Sequence, residues 1–312
     1  MNGTGEFVPP ADLGSGVHCV DLLEGGRAER TCAYIVGDAR AAAVIETGAA
    51  PLAWRILKSL ETLAIPAAAV EWVIVTHIHL DHAGGTGWLL ERLPNAKLAV
   101  HPRGGRHLVD PSRLMAGARA VYGDSFDRQF APIVPVPAER VVEIPDGGHV
   151  ELSTGRRFGC LHMAGHARHH FVVTDPASRG VFTGDNAGVR YPWFRNYGFV
   201  PALPTTSPSE FDPPELVRTM ERIGSLGLPR LYFTHFSLGT VEELAGSRDW
   251  IGRFVEIAKA AGPGWEPVRD GLRREVGREL SARGVPAGAP ENDSLELDHE
   301  INAKGIAHYL QK

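Results

Sequence analysis

Thr76-His77-Ile78-His79-Leu80-Asp81-His82 places four side chains able to bind a metal within six residues, directly after the apolar run Val73, Ile74, Val75. An uninterrupted apolar run of this kind reads as a strand buried on both faces, and a polar loop at the end of such a strand is where functional side chains are usually presented. In an extended or loop conformation His77 and His79 point to the same side and can share one ion, Asp81 continues the alternation, and His82 points elsewhere. Two adjacent half-sites follow: His77 with His79, and Asp81 with His82. Imidazole and carboxylate suit zinc, iron or manganese, and the scattered cysteines argue against an iron–sulfur centre. Gly84 and Gly85 let the backbone pass close to the ions.

Outward from this stretch the pattern is layered. Short β-prone segments at 18–23, 31–36 and 42–45 form a meander that Glu46-Thr47-Gly48 ends. A helix is predicted over 51–63, a strand over 71–75, a helix up to 93 and a strand over 97–100, an α/β succession. Residues 102–137 read as an insertion over one face, with a short helix at 114–121. A second strand series is expected at 140–144, 149–152, 157–161, 171–174 and 180–183, then a helix at 213–223, a strand at 231–234 and a long helix at 241–261. Two amphipathic helices, 268–280 and 295–310, occupy the tail. Two β-rich halves, each followed by helices, imply two sheets between helical layers. The expected organisation is a catalytic domain over 1–262 and a helical extension over 263–312.

The 312 residues carry a formal net charge of -5, which gives no reason to expect nucleic acid or an anionic membrane as partner. Cys19, Cys32 and Cys160 are odd in number and unpaired in spacing, which fits a reducing compartment. The first sixteen residues lack the basic start and apolar stretch of a signal peptide, and no run reaches membrane-spanning length, so a cytoplasmic location is expected.

Two half-sites need further ligands, and strand ends supply them. His166 closes His162-Met163-Ala164-Gly165-His166, Asp185 closes Phe182-Thr183-Gly184-Asp185, and His235 closes Leu231-Tyr232-Phe233-Thr234-His235. The order His-x-His-x-Asp-His, Gly-His, Thr-Gly-Asp, Thr-His resembles the metallo-β-lactamase fold superfamily of binuclear hydrolases, over about residues 15 to 260. The resemblance implies an α/β fold, the αββα four-layer sandwich, with a helical C-terminal extension. It implies two divalent metal ions, zinc foremost with iron or manganese as alternatives. His77, His79 and His166 would hold the first, Asp81, His82 and His235 the second, and Asp185 would bridge them. Two such ions with two aspartates and a bridging hydroxide leave a formal charge of about +1, suited to a substrate oxygen that becomes more negative during reaction. Metal coordination lowers the pKa of water from about 15.7 towards ~7, so hydroxide is available without a dedicated protein base.

Other residues have more ordinary readings. His162 reads as packing, and His101 and His107 as loop or helix residues of the insertion. His169 and His170 follow the third histidine ligand, and His169 is a candidate substrate contact. Tyr191 and Trp193, with Arg190, open an aromatic-rich loop after Asp185 that reads as a pocket wall, or alternatively as a buried or homodimer surface. Arg269, Arg273, Arg274 and Arg278 form the polar face of a helix with Leu272, Val276 and Leu280 inward. The plan is similar to glyoxalase II-like hydrolases, with Asp81 and Asp185 fixing the ions and a small molecule carrying a thioester, lactone or other carboxylic ester as substrate. Two alternatives use the same scaffold: a persulfide dioxygenase-like oxidoreductase with one iron on the equivalents of His79 or His77, His166 and Asp185, and a non-catalytic metal-binding module.

Overall fold

The computed structural model describes residues 6–312, so the first five residues of the N-terminal stretch lie outside it. The described residues divide into two compact units that are discontinuous along the chain.

The first unit holds two sheets. Strands β1 (Ala11–Asp12), β2 (Val17–Asp21), β3 (Cys32–Gly37), β4 (Ala42–Ile45), β5 (Val70–Ile74), β6 (Lys97–Val100) and β7 (Val141–Glu143) lie side by side in chain order. The meander β1 to β4 is antiparallel and β4 to β7 is parallel. Parallel neighbours need crossovers. These are α1 (Trp54–Thr62) before β5, the short α2 (Leu80–Ala83) and α3 (Thr86–Leu90) before β6, and the insertion before β7. The insertion is more helical than its sequence suggests, carrying α4 (Gly105–Val109), α5 (Ser112–Tyr122) and α6 (Phe126–Phe130). Phe126 and Phe130 of α6 pack on Leu80, the residue between His79 and Asp81.

The second sheet has the order β15, β14, β11, β10, β9, β8, where β8 is His149–Glu151, β9 Arg157–His162, β10 Phe171–Asp175 and β11 Gly180–Gly184. After the two-residue strands β12 (Val189–Arg190) and β13 (Ala202–Leu203) come β14 (Arg230–Phe233) and β15 (Ser237–Gly239). One expectation needs correction. The strand near 141–143 does not start the second sheet; it pairs in parallel with β6 and closes the first.

Alternating side chains of the first sheet serve two cores. Ala33, Ile35, Val44, Val73, Leu98 and Val100 pack with Ile56 and Leu60 of α1 and Trp88 and Leu89 of α3. Tyr34, Val36, Ala43, Ile45 and Ile74 pack with Phe158, Phe171, Phe182 and Tyr232 of the second sheet. Tyr34, Phe182 and Tyr232 form an aromatic triad with centroids 5.0, 4.5 and 5.5 Å apart. Each such pair adds about 0.5–1.5 kcal/mol beyond its burial. This double core anchors the strand ends on which the polar loops stand.

The second unit is built on α7 (Pro213–Ser225), α8 (Val241–Ala261), α9 (Trp265–Ala282), the short α10 (Pro290–Asp293) and α11 (Glu296–Leu310), with the β12/β13 hairpin. Asp212 caps α7, accepting from Glu215 N at 3.0 Å ahead of two prolines, and Thr240 and Glu243 form a capping box on α8. Leu272, Val276 and Leu280 of α9 are buried, as their spacing predicts.

Candidate metal centre

Strand β5 ends at Ile74, and the chain runs through buried Val75 and Thr76 into the histidine stretch. The extended alternation stops at His79, which is the N-cap of α2, so Asp81 and His82 stand on a helical turn rather than continuing the zigzag. The pairing expected for them nevertheless forms. Asp81 Oδ2 lies 3.5 Å from His82 Nε2 and 3.5 Å from His235 Nε2, and these three residues offer ligand atoms within 4.8 Å of one another. His77 Nε2 and His79 Nδ1 are 2.9 Å apart. His77 and His82 are fully buried.

The far nitrogens of these imidazoles are held, which decides which nitrogen can coordinate. His235 Nδ1 lies 3.2 Å from the Arg30 carbonyl and 2.9 Å from Thr31 Oγ1. A carbonyl only accepts, so the neutral ring carries its proton on Nδ1 and turns the Nε2 lone pair toward Asp81. His82 Nδ1 lies 3.3 Å from Glu46 Oε1, within ion-pair reach. His77 Nδ1 is 3.1 Å from Thr76 Oγ1, and that hydroxyl donates a short hydrogen bond to Glu46 Oε1. The Thr76 oxygen is therefore left to accept from His77 Nδ1–H. One buried carboxylate, Glu46 at 1 % exposure, thus orients His77 through Thr76 and lies beside His82.

Sequence reading stopped at Glu46-Thr47-Gly48 as the end of a strand and missed both roles in it. Thr47 Oγ1 donates to the His82 carbonyl at 2.8 Å and accepts from Gly85 N at 3.1 Å, tying α2 to the end of β4. The available signal was an acidic residue placed directly after the fully buried run 42–45, where a carboxylate needs a partner.

His166 and Asp185 belong to the second unit. His166 Nε2 lies 3.3 Å from Asp185 Oδ2, and His166 Nδ1–H donates to the Thr205 carbonyl at 3.1 Å. Asn186 Nδ2 donates to the Met163 carbonyl at 2.8 Å, joining the two loops. The glycines that precede both donors have steric causes. Gly165 has φ +120°, and a Cβ there would stand 2.4 Å from Leu216 Cα; Gly184 has φ +52°, and a Cβ there would stand 2.4 Å from Thr76 Oγ1 and 2.5 Å from His170 Nε2. The glycines of the Gly-His and Gly-Asp pairs of the sequence are therefore backbone requirements.

His169 lies beside the first pair, its ring centroid 5.5 Å from that of His79 and 6.1 Å from that of His77, and Ile78 N–H donates to its Nδ1 at 3.5 Å. His170 stacks on His77 at 4.8 Å. His162 bonds the Ile144 carbonyl at 2.9 Å and packs on His101 at 4.0 Å; burial and the neighbouring His162 and His169 push His101 down to about 4. His107 is a helix residue of α4. In the second unit Tyr191 donates to Asp298 Oδ1 at 2.8 Å, Trp193 stacks on Tyr191 at 4.2 Å, and Arg190 Nε pairs with Glu243 Oε1 at 2.7 Å.

The donor set suits a small divalent ion. Ligands about 2.0–2.1 Å from a tetrahedral zinc stand about 3.3–3.4 Å apart, and the 3.5, 3.5 and 3.3 Å separations within the two units fall at that spacing. A profile of the metallo-beta-lactamase superfamily matches residues 26–235, two thirds of the chain and every donor named above. The chain belongs to the metallo-beta-lactamase superfamily. Its fold is that superfamily's αββα sandwich, followed by C-terminal helices.

Relatives agree. A metallo-beta-lactamase fold-containing protein of Sulfurisphaera tokodaii is 29% identical over 142 residues, 45% of this chain and 50% of the relative. A hydroxyacylglutathione hydrolase of a Synechococcus strain is 32% identical over 126 residues, 40% of this chain and 38% of that one. An atrochrysone carboxyl ACP thioesterase of Aspergillus terreus is 29% identical over 158 residues, 50% and 38% respectively. These matches span no more than half of each relative's length. The crystal structure of an archaeal superfamily protein from Sulfolobus tokodaii superposes with TM-score 0.66 at 20% identity, covering 93% of this chain and 98% of that one. No helix among the described residues is long and apolar enough to cross a membrane.

Proposed function

We propose that this chain is a binuclear metal-dependent hydrolase of thioesters, lactones or other carboxylic esters. The reading rests on one observation: the imidazoles of His77, His166 and His235 are held through their Nδ1 atoms by protein acceptors, so that their Nε2 lone pairs turn toward other side chains able to bind a metal. In this reading His77, His79 and His166 would hold one ion, Asp81, His82 and His235 would hold the other, and Asp185 would serve both. When bound, divalent ions supply Lewis acidity and a water whose pKa is lowered to about 7.

The protein's own groups do the rest. Glu46, Thr76, Arg30, Thr31 and Thr205 hold the imidazoles in one tautomer, and Asp81 and Asp185 offset part of the ionic charge while leaving the site positive. His169 accepts from Ile78 N–H through Nδ1, so its neutral ring presents Nε2–H as a hydrogen-bond donor to a developing acyl oxyanion, while the proton for a leaving group comes from the water consumed in the reaction. A thiolate, with a pKa of about 8.5, leaves without that proton, whereas an alkoxide needs it. The similarity to a hydroxyacylglutathione hydrolase and an ACP thioesterase supports a thioester as the first substrate to test. A panel of acyl thioester, lactone, simple ester and phosphodiester given to metal-replete protein tests this. Thioester turnover abolished by a chelator is expected, and failure on all three carboxylic substrates would overturn the proposal.

A further inference from the structure

The helical tail is more than an appendage to the second unit. Asn302 of α11 is 3 % exposed, and its Oδ1 accepts from Thr206 N at 2.7 Å while its backbone carbonyl accepts from Thr206 Oγ1 at 3.0 Å. Thr206 is fully buried. Three residues further along α11, a Cβ on Gly305 would lie 2.6 Å from Thr206 Oγ1, so the helix meets this segment at backbone distance. The residue before Thr206 supplies the carbonyl that fixes His166. At the other end of the same segment Tyr191, six residues after Asp185, is held by Asp298 of α11. A helix 96 to 107 residues away in sequence therefore grips both ends of the 191–206 segment, beside which His166 and Asp185 are placed.

We propose that Asn302 is a positioning residue for His166: by fixing Thr206 it fixes the Thr205 carbonyl, and through it the His166 tautomer that leaves Nε2 unprotonated. The consequence for metal binding rests on His166 being a ligand, while the consequence for the tautomer does not. The tail is thereby assigned to shaping the donor set instead of contacting substrate.

Two substitutions separate this from simple packing. Asn302→Asp keeps the Oδ1 acceptor, and Asn302→Leu keeps the volume but removes it. Thr206→Val, which loses only the hydroxyl donor, serves as a milder variant where Asn302→Leu does not fold. Nitrogen-15 NMR of the imidazoles in metal-free protein should show His166 as the Nδ1–H tautomer in wild type and Asn302→Asp, and as a tautomer mixture in Asn302→Leu or Thr206→Val. Zinc titration against a chromophoric chelator should show one site weakened by about 10–100-fold in the same variants and recovered in Asn302→Asp, with the second site unchanged. An unaltered tautomer in folded Asn302→Leu or Thr206→Val, or equal damage in Asn302→Asp, would overturn the inference. Wild-type protein that binds no zinc would instead overturn the ligand reading, and the tautomer measurement would still decide the role of Asn302.

Discussion

Glu46 Oε1 stands 3.3 Å from His82 Nδ1, and the same oxygen accepts from the Thr76 hydroxyl that in turn faces His77 Nδ1. A single carboxylate at the end of β4 therefore sets the ring orientation of His77 through Thr76 and stands within ion-pair reach of His82 in the other proposed half-site. Outer partners of this kind keep a ligand in one tautomer and raise its basicity. Glu46→Ala is expected to weaken metal binding by about 10–100-fold. It should also destabilise the fold by about 1–3 kcal/mol, since the buried Thr76 hydroxyl loses its acceptor. Chelator competition and denaturant unfolding check both, and an unchanged affinity would remove Glu46 from the account.

Gly184 carries a backbone constraint next to Asp185. At φ +52° an added methyl would meet Thr76 Oγ1 and His170 Nε2. Gly184→Ala should cost about 1–3 kcal/mol from backbone strain alone, with a further loss of metal retention because Thr76 must shift. Thermal unfolding and elemental analysis of the variant measure the two effects; wild-type values in both would show that the loop tolerates a side chain there.

Tyr232 tests the inter-sheet core. Its ring stacks on Phe182 at 4.5 Å, yet its buried hydroxyl has no hydrogen-bond partner among the described residues. Removing a buried unpaired polar atom while keeping the ring is neutral or favourable. Tyr232→Phe should be as stable as the parent or more stable by about 1 kcal/mol, and a loss of that size in urea unfolding would contradict the packing described.

His299 makes stability depend on pH. It is 4 % exposed on α11, and burial pushes its imidazole down to about 4. The unfolded chain takes up the proton near 6.5 and the folded chain only near 4. The unfolded state therefore binds more protons in that window, and stability is full above about pH 6.5 and falls as pH drops toward 4, by about 3 kcal/mol. His299→Gln should flatten this acid limb. Denaturation series at pH 7 and 4.5 give the comparison, and equal losses in both proteins would assign the limb elsewhere.

The fold was largely legible because the local signals agree. The apolar run before His77, the exact match of 42–45 and 97–100 to strands, and the uninterrupted 241–261 helix all follow from periodicity and turn residues. Strand partnership was less legible. Val141–Glu143 follows the insertion and precedes the second sheet in sequence, but it pairs with β6, a choice set by packing that local pattern does not encode. The same limit governs the site. His77, His79, Asp81 and His82 declare themselves by density, and His166, Asp185 and His235 by their place at strand ends. Glu46 and Asn302 are lone polar residues whose roles are defined by partners 30 to 96 positions away. At Asp81 and His82 the local conformation differs from the expected one: the zigzag gives way to a helical turn at Leu80, and the turn still brings Asp81 within 3.5 Å of His82 and of His235.

The central claim is a pair of ions sharing one carboxylate, and metal stoichiometry in wild type and Asp185→Ala tests it most directly. The account predicts two divalent ions per wild-type chain after reconstitution and extensive dialysis, with both lost or labile in Asp185→Ala. One tightly held iron per wild-type chain with oxygen uptake, or two tightly held ions in the variant, would contradict it.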